Sequence, residues 1–336
     1  MGGFDRERDV ALEAVTAAAK LTAAVRAERV DPATFAKADR SPVTIADFGS
    51  QALICQRLRE VFPADAVVGE EDADALRTPE GATTLAAVTA QVRRLLPGAG
   101  AADVCDWIDA GRGAVGRRFW TLDPIDGTKG FLRDDQYAIA LALVVDGLVE
   151  VAALACPALP LAADRRGSPV GTLFIAVRGQ GTTMAPLGAG VSGEGVPIHV
   201  ARGTGSRGLR FTESVEAAHS DQARHAVLAR AVGISAPPLR MDSQAKYGAL
   251  ARGDAALYLR LPSPRTPDYR EKIWDHAAGS RIVEEAGGRV TDATGRPLDF
   301  AGGRAMSGSR GIVVSNGELH ERVLAALAVG DAGPLR

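Results

Sequence analysis

Apolar positions recur at helical spacing through residues 10–30 and again through 48–62, predicting two amphipathic helices against a core. Short apolar runs predict strands at Val67-Val68, at 120–122, at 137–145 and at 148–156. Asp146-Gly147 between the last two reads as a hairpin turn. Residues 173–178 and 181–185 look like another strand pair. A helix at 84–96 sits in an insert and is followed by a Gly/Ala-rich loop to Gly116.

The glycine-rich stretch 186–208 is the best candidate for a change of lobe. Beyond it, strands are expected at 209–211, 239–241, 256–260, 289–291 and 312–315. Helices are expected at 220–232, 244–252, 275–286 and 317–329. Alternation of strand and helix after the boundary favours a layered α/β lobe. The expected domains are 1–205, an α+β lobe, and 206–336, an α/β lobe.

The polar residues that interrupt this pattern fall at element ends. Phe119-Trp120-Thr121-Leu122 runs into Asp123-Pro124-Ile125-Asp126-Gly127-Thr128, two acids three residues apart with a proline between them and a glycine after. Pro124 biases Asp123 towards an extended conformation, so the carboxylates can converge. Gly127 permits a tight turn whose amides can meet an anion. Asp-Pro and Asp-Gly are also common turn dipeptides, so this stretch alone favours metal–phosphate chemistry only modestly. Val67-Val68-Gly69-Glu70-Glu71 is a second strand ending in acids. Asp47 stands at the start of one helix and Asp275 at the head of another, where each taken singly reads as a cap. As a set they are hard oxygen ligands of the kind a magnesium site needs.

These motifs resemble the lithium-sensitive, magnesium-dependent phosphatase superfamily that includes inositol monophosphatase and fructose-1,6-bisphosphatase. Gly69-Glu70-Glu71, Asp123-Pro124-Ile125-Asp126-Gly127-Thr128 and Trp274-Asp275-His276-Ala277-Ala278-Gly279 carry the general pattern. Further stretches are similar to its 3'(2'),5'-bisphosphate nucleotidase branch of yeasts and plants. They are Ser41-Pro42-Val43-Thr44-Ile45-Ala46-Asp47, Lys129-Gly130-Phe131 and Glu213-Ser214-Val215-Glu216-Ala217-Ala218-His219-Ser220. Met241-Asp242-Ser243-Gln244-Ala245-Lys246-Tyr247-Gly248 and Tyr258-Leu259-Arg260-Leu261-Pro262 complete the set. Similarity runs from about residue 5 to about residue 325, weakest across 78–116 and 186–207.

The resemblance implies a layered αβαβα sandwich of two closely packed lobes. The first would carry most metal ligands, and the second the nucleotide contacts and Asp275. It implies two to three magnesium ions held by Glu70, Asp123, the Ile125 carbonyl, Asp126 and Asp275, with Glu71 just behind. A metal-activated water would attack the phosphate, oriented and deprotonated by Asp47 and Thr128. The Gly127 and Thr128 amides would touch that phosphate. Ser243, Lys246, Arg260 and His219 would contact the rest of a nucleotide. Without the family, Ser243 and Lys246 read as a cap and a solvated lysine on one helix face, and His219 as a surface histidine.

The implied reaction removes the 3'-phosphate of 3'-phosphoadenosine 5'-phosphate to give AMP, with 3'-phosphoadenosine 5'-phosphosulfate as a second substrate and a place in sulfur assimilation. Inhibition by lithium is expected. An inositol or sugar-phosphate phosphatase is the alternative, and a non-catalytic nucleotide sensor ranks below both.

Composition adds exclusions. At 336 residues and a formal net charge of −2, with no basic run or basic helix face, nucleic acid is not the expected partner. The most apolar region, 138–156, is broken by Asp146, Gly147 and Glu150, so a hairpin is expected there and no membrane span. No signal or transit peptide is legible at the N-terminus. A cytoplasmic monomer is the expectation. Cys55, Cys105 and Cys156 have no metal-site spacing, and Cys105 falls in the expected loop, where a redox role is conceivable.

Overall fold

The computed structural model describes residues 3–28, 35–36, 42–163, 167–189, 195–203, 209–215, 222–262 and 269–331. His219 and Ser41 lie outside the described residues.

The chain opens with α1 (Asp5–Ala27), a short ribbon of β1 (Phe35–Ala36) and β2 (Pro42–Val43), and α2 (Ile45–Val61). Next come β3 (Ala66–Gly69), α3 (Ala82–Arg93), α4 (Ala101–Asp109), β4 (Arg118–Asp126) and the short α5 (Thr128–Leu132). Strands β5 (Ala138–Val145), β6 (Leu148–Pro160), β7 (Val170–Val177), β8 (Gly181–Pro186) and β9 (Val196–Pro197) then complete a sheet ordered β3-β4-β5-β6-β7-β8-β9. Only its β3–β4 pair is parallel.

The second half holds β10 (Phe211–Glu213), α6 (Gln222–Ala231), β11 (Leu239–Arg240), α7 (Ala245–Ala251) and β12 (Leu257–Arg260). It ends with α8 (Ala277–Glu285), β13 (Arg289–Thr291), β14 (Ile312–Ser315) and α9 (His320–Asp331). Its strands form a mixed sheet ordered β11-β10-β12-β14-β13.

The two-residue side-chain alternation of strands decides how the layers stack. Ile139, Leu141 and Leu143 of β5, with Val151, Ala153 and Ala155 of β6, share a core with α1 to α4. Their neighbours Ala140, Ala142, Ala152 and Leu154 point the other way and share a core with Tyr247 of α7 and Ile282 of α8. That second core also takes in Tyr258, Val290, Ile312 and Val314 from the smaller sheet. The opposite face of the smaller sheet (Leu257, Leu259, Val313) packs on Leu228 of α6 and on Val323 and Leu327 of α9. Helices, sheet, helices, sheet and helices therefore follow in five layers, the expected αβαβα sandwich. Burial on both faces explains why β5, and β6 beyond Glu150, read as continuous apolar runs. Alanine dominates the face towards α8 and lets the helix come close. Gly279 takes this furthest, since a Cβ there would sit 2.4 Å from Tyr247 Cγ.

Three expectations need correction. The stretch up to Gly116 is not all loop: α4 occupies part of it and buries Val104, Cys105 and Ile108. Cys105 is thus a buried helix residue, though less deeply placed than Cys55 and Cys156, and burial pushes all three thiols up, Cys55 to about 12. This does not suit a redox switch, which needs an accessible thiolate. Finally, β4 runs well past the short strand expected, through both acids of its motif.

Candidate active site

Parallel pairing of β3 with β4 sets Gly69, the last residue of β3, opposite Leu122, the residue before Asp123 in β4. Glu70 and Asp123 are the next residues on each, and the register brings their backbones together. The β4–β5 pairing holds as far as Asp123 and resumes only at Asp126, leaving a bulge over Pro124 and Ile125. A bulge redirects side chains, and here it lets Asp123 and Asp126 serve one site despite their spacing. Gly127 follows at φ +85°, a left-handed conformation that turns the chain directly into α5. A Cβ on it would lie 2.9 Å from Ser243 Cβ, so this turn also lies against the second half of the chain.

Asp275 reaches the same place from the other side. It ends a 3-10 turn, Ile273–Asp275, one residue before the N-cap of α8, instead of heading the helix as expected. Gln244 links the two halves. Its backbone N–H donates to Asp126 Oδ2 at 2.6 Å, its side-chain amide donates to the Trp274 carbonyl at 3.0 Å, and its Oε1 accepts from Gly279 N–H at 3.0 Å.

The acids crowd together here, Asp47 and Asp123 buried and Glu70, Asp126 and Asp275 half-buried. Asp123 is 2% exposed, and burial raises its pKa well above the ordinary carboxylate value, helped by the charges of Glu70, Asp126, Asp275 and Asp47. Burial likewise raises Asp126, although Lys246 and Arg260 pull it back down. Asp275 is raised by burial against the pull of Arg260. Among the described residues, Asp123 Oδ1 is buried without a hydrogen-bond partner. Buried carboxylates with an orphaned oxygen are costly to keep together unless a cation joins them. The residues present therefore fit a divalent metal that takes oxygen ligands.

Beside the cluster, Asp47 is not the N-cap of α2 but its third residue. Thr44 is the N-cap, donating both its backbone N–H (2.8 Å) and its hydroxyl to Asp47 Oδ2. Oδ1 is then the oxygen offered to Thr128, whose hydroxyl lies 3.5 Å from it and 3.2 Å from the Ile125 carbonyl. A hydroxyl has one proton to donate, so these two acceptors compete for it. Glu71 is tied back instead: Gln51 accepts from its N–H at 3.0 Å and donates to its carbonyl at 2.6 Å.

The cationic side is arranged differently from the expectation. Ser243 lies outside α7, at φ +67°, with its hydroxyl accepting from Ala245 N–H, so Ser243 and Lys246 do not share a helix face. Lys246 is only 4% exposed, its Nζ 5.3 Å from the Tyr258 ring centroid and 3.3 Å from the Met241 carbonyl. Burial lowers it to about 8 while Asp126 opposes. Arg260 donates from Nε to Glu271 at 2.8 Å and from Nη2 to the Tyr269 hydroxyl at 3.1 Å, with Asp275 at 3.9 Å. Glu271, Asp275 and His276 bring three ligand-type atoms within 4.8 Å of one another. Within that trio, Glu271 is engaged by Arg260 and by His276 (3.0 Å), and His276 by Tyr247 (2.7 Å). The last two bonds hold Glu271, and through it Arg260, from behind.

Thr44, Gln51, Gln244 and Glu271 were not singled out from sequence. Only Thr44 had a local signal, the three-residue spacing of a capping box to Asp47. Gln51 and Gln244 act across long sequence separations, and Glu271 meets Arg260 and His276 across a stretch that has no periodic pattern.

Comparison with known proteins identifies the family of the chain. Residues 6–330 match the Inositol monophosphatase family. A 3'(2'),5'-bisphosphate nucleotidase of Emericella nidulans is 42% identical, covering 96% of this chain and 98% of its own. One of Oryza sativa is 43% identical, over 96% and 94%. Among solved structures, the Thermotoga maritima IMPase superposes with a TM-score of 0.67 at 21% identity, over 98% of this chain and 100% of that one. CysQ of Bacteroides thetaiotaomicron gives 0.61 at 20% identity, over 94% and 98%. This chain belongs to the inositol monophosphatase family and, within it, is similar along nearly its whole length to the 3'(2'),5'-bisphosphate nucleotidases.

Proposed function

We propose that this protein is a magnesium-dependent 3'(2'),5'-bisphosphate nucleotidase. It would remove the 3'-phosphate of 3'-phosphoadenosine 5'-phosphate to leave AMP, and act likewise on the 5'-phosphosulfate relative. The observation that carries the reading is the meeting of acids and cations. Arg260 Nη2 lies 3.9 Å from Asp275, and the Gln244 N–H that bonds Asp126 opens the turn leading into Lys246. Both cations favour the charged form of Asp126. An acid cluster suited to metal thus lies beside a cationic pair suited to a second phosphate. A doubly phosphorylated substrate calls for that combination. A single inositol phosphate has no second phosphate to occupy the cationic side.

Glu70, Asp123, Asp126, Asp275 and the Ile125 carbonyl would hold the metal, which when bound lowers the pKa of an attacking water and offsets charge on the phosphate. The chain itself handles the proton. Asp47, fixed through Oδ2 by Thr44, presents Oδ1 to the Thr128 hydroxyl. With the Ile125 carbonyl engaged elsewhere, Asp47 is the remaining acceptor for that hydroxyl. A proton can then pass from the attacking water to Thr128 Oγ1 as the threonine's own proton moves to Asp47. Gly127 and Thr128, at the turn into α5, would lie against the phosphate under attack. Ser243, Lys246 and Arg260 would line the nucleotide side, and His219 would join them.

We further infer two lobes, 1–205 and 206–336, a monomer and a cytoplasmic location. No described helix is long and apolar enough to cross a membrane. Product identity tests the reaction. Incubation of 3'-phosphoadenosine 5'-phosphate with enzyme and magnesium should yield AMP and one equivalent of phosphate, and chelation should stop it. Adenosine 3'-phosphate as the product, or full activity after chelation, would overturn the reading.

A further inference from the structure

Glu70 and Asp275 come from the two different halves of the sequence, and hydrogen bonds at Asp126 alone do not fix the distance between them. One side chain spans both segments. Arg304 lies in the connection between β13 and β14, and its Nη2 donates to the Gly69 carbonyl at 2.5 Å. Its guanidinium also lies over the Trp274 ring, 5.0 Å from the centroid. Gly69 immediately precedes Glu70, and Trp274 immediately precedes Asp275.

The backbone around Arg304 is equally committed. The Arg304 carbonyl accepts from Ile273 N–H at 3.1 Å, Met306 N–H donates to the Glu271 carbonyl at 2.8 Å, and Lys272 bridges Ala305. A short antiparallel ladder thus fastens 304–306 to the approach of Asp275. From that base the arginine side chain reaches the end of β3 in the larger sheet. A guanidinium suits this task because its planar face stacks on an indole while its edge donates to a carbonyl.

We propose that Arg304 is a positioning residue for the metal site, setting the separation of Glu70 and Asp275 by clamping Gly69 to Trp274. The inference rests on the metal reading given above. It goes beyond it in assigning a role to a side chain that is not itself a ligand. Loss of a residue that orients ligands typically costs about 10–100-fold in metal affinity.

The test is calorimetric titration of magnesium chloride into the full-length metal-free protein, with no substrate present. Arg304→Met keeps the aliphatic stem and removes the donor and the cation. Its magnesium affinity should fall about 10–100-fold. Arg304→Lys keeps a donor and a cation but not the planar face on Trp274, and should recover part of that loss. Nucleotide KM at saturating magnesium should change little in either variant. Wild-type affinity in Arg304→Met overturns the proposal. So does an Arg304→Lys as impaired as Arg304→Met, because the tie would then not be what matters. If Arg304→Met does not fold, Trp274→Phe is titrated instead: weakened magnesium binding supports the clamp, and unchanged binding overturns it. A wild-type protein that binds no magnesium would instead refute the metal reading itself.

Discussion

Thr44 and Asp47 are locked to each other in both directions: the threonine amide and hydroxyl donate to Asp47 Oδ2, and the threonine oxygen accepts the Asp47 N–H at 3.2 Å. This reciprocal cap opens α2 and also aims a carboxylate. One oxygen is held within the cap while the other faces Thr128, so an ordinary helix start orients the proposed proton acceptor.

Removing that acceptor should cost rate more than binding. Asp47→Asn is expected to lower kcat by about 10²–10⁴-fold with little change in KM. Thr44→Val should lower kcat less and also cost about 1 kcal/mol of stability through the lost cap. Steady-state kinetics and thermal melts measure both. An Asp47→Asn variant with wild-type kcat would remove Asp47 from the mechanism.

Asp123 predicts an unusual pH dependence for the metal-free protein. Its folded pKa is raised, by burial first and then by Glu70, so the folded state holds a proton the unfolded chain would release. The stability from that proton is complete below the unfolded value of about 3.9 and is lost as pH rises through the folded value. Melting curves of wild type and Asp123→Asn should therefore diverge with rising pH, the asparagine variant becoming the more stable. Magnesium should stabilise wild type at neutral pH and leave Asp123→Asn nearly unmoved, and that variant should not turn over substrate. Parallel pH profiles for the two proteins would contradict the account.

Lys246, lowered to about 8 by burial, should be charged at neutral pH and lose its charge in mildly alkaline solution. KM for the bisphosphate nucleotide should accordingly rise above about pH 8. Lys246→Met should show a KM raised about 10–100-fold already at pH 7, as expected for a lost hydrogen bond to a charged group. KM for an inositol phosphate should change far less. Equal losses for both substrates would separate Lys246 from the second phosphate.

Gly127 is the turn on which the phosphate side depends. Alanine there must adopt φ +85° and place a Cβ 2.9 Å from Ser243 Cβ. A stability loss of about 1–3 kcal/mol is expected, together with a large fall in activity. Unchanged denaturant midpoint and rate would show that the turn relaxes freely.

Much of this site was legible because strands ending in Gly-Glu or Asp-Pro advertise themselves locally. Glu70, Asp123 and Asp126 stood out for that reason, and the sheet register then sets the end of β3 beside the residue before Asp123. The helix α4 did not stand out, since nine residues between glycine-rich flanks give too short an apolar period. Ser243 was misplaced because nothing in its residue type signals a positive φ. Arg304 and Gln244 escaped notice for a further reason. Arg304 meets Gly69 across 235 residues and Gln244 meets Asp126 across 118, and pattern along the chain carries no trace of such pairs.

The central claim is that the acids and the Lys246/Arg260 side form one site for a bisphosphate nucleotide. The most direct test compares kcat/KM for 3'-phosphoadenosine 5'-phosphate with that for inositol 1-phosphate, in magnesium and then with added lithium. The account predicts a strong preference for the nucleotide, suppressed by lithium. A preference for inositol 1-phosphate would contradict it.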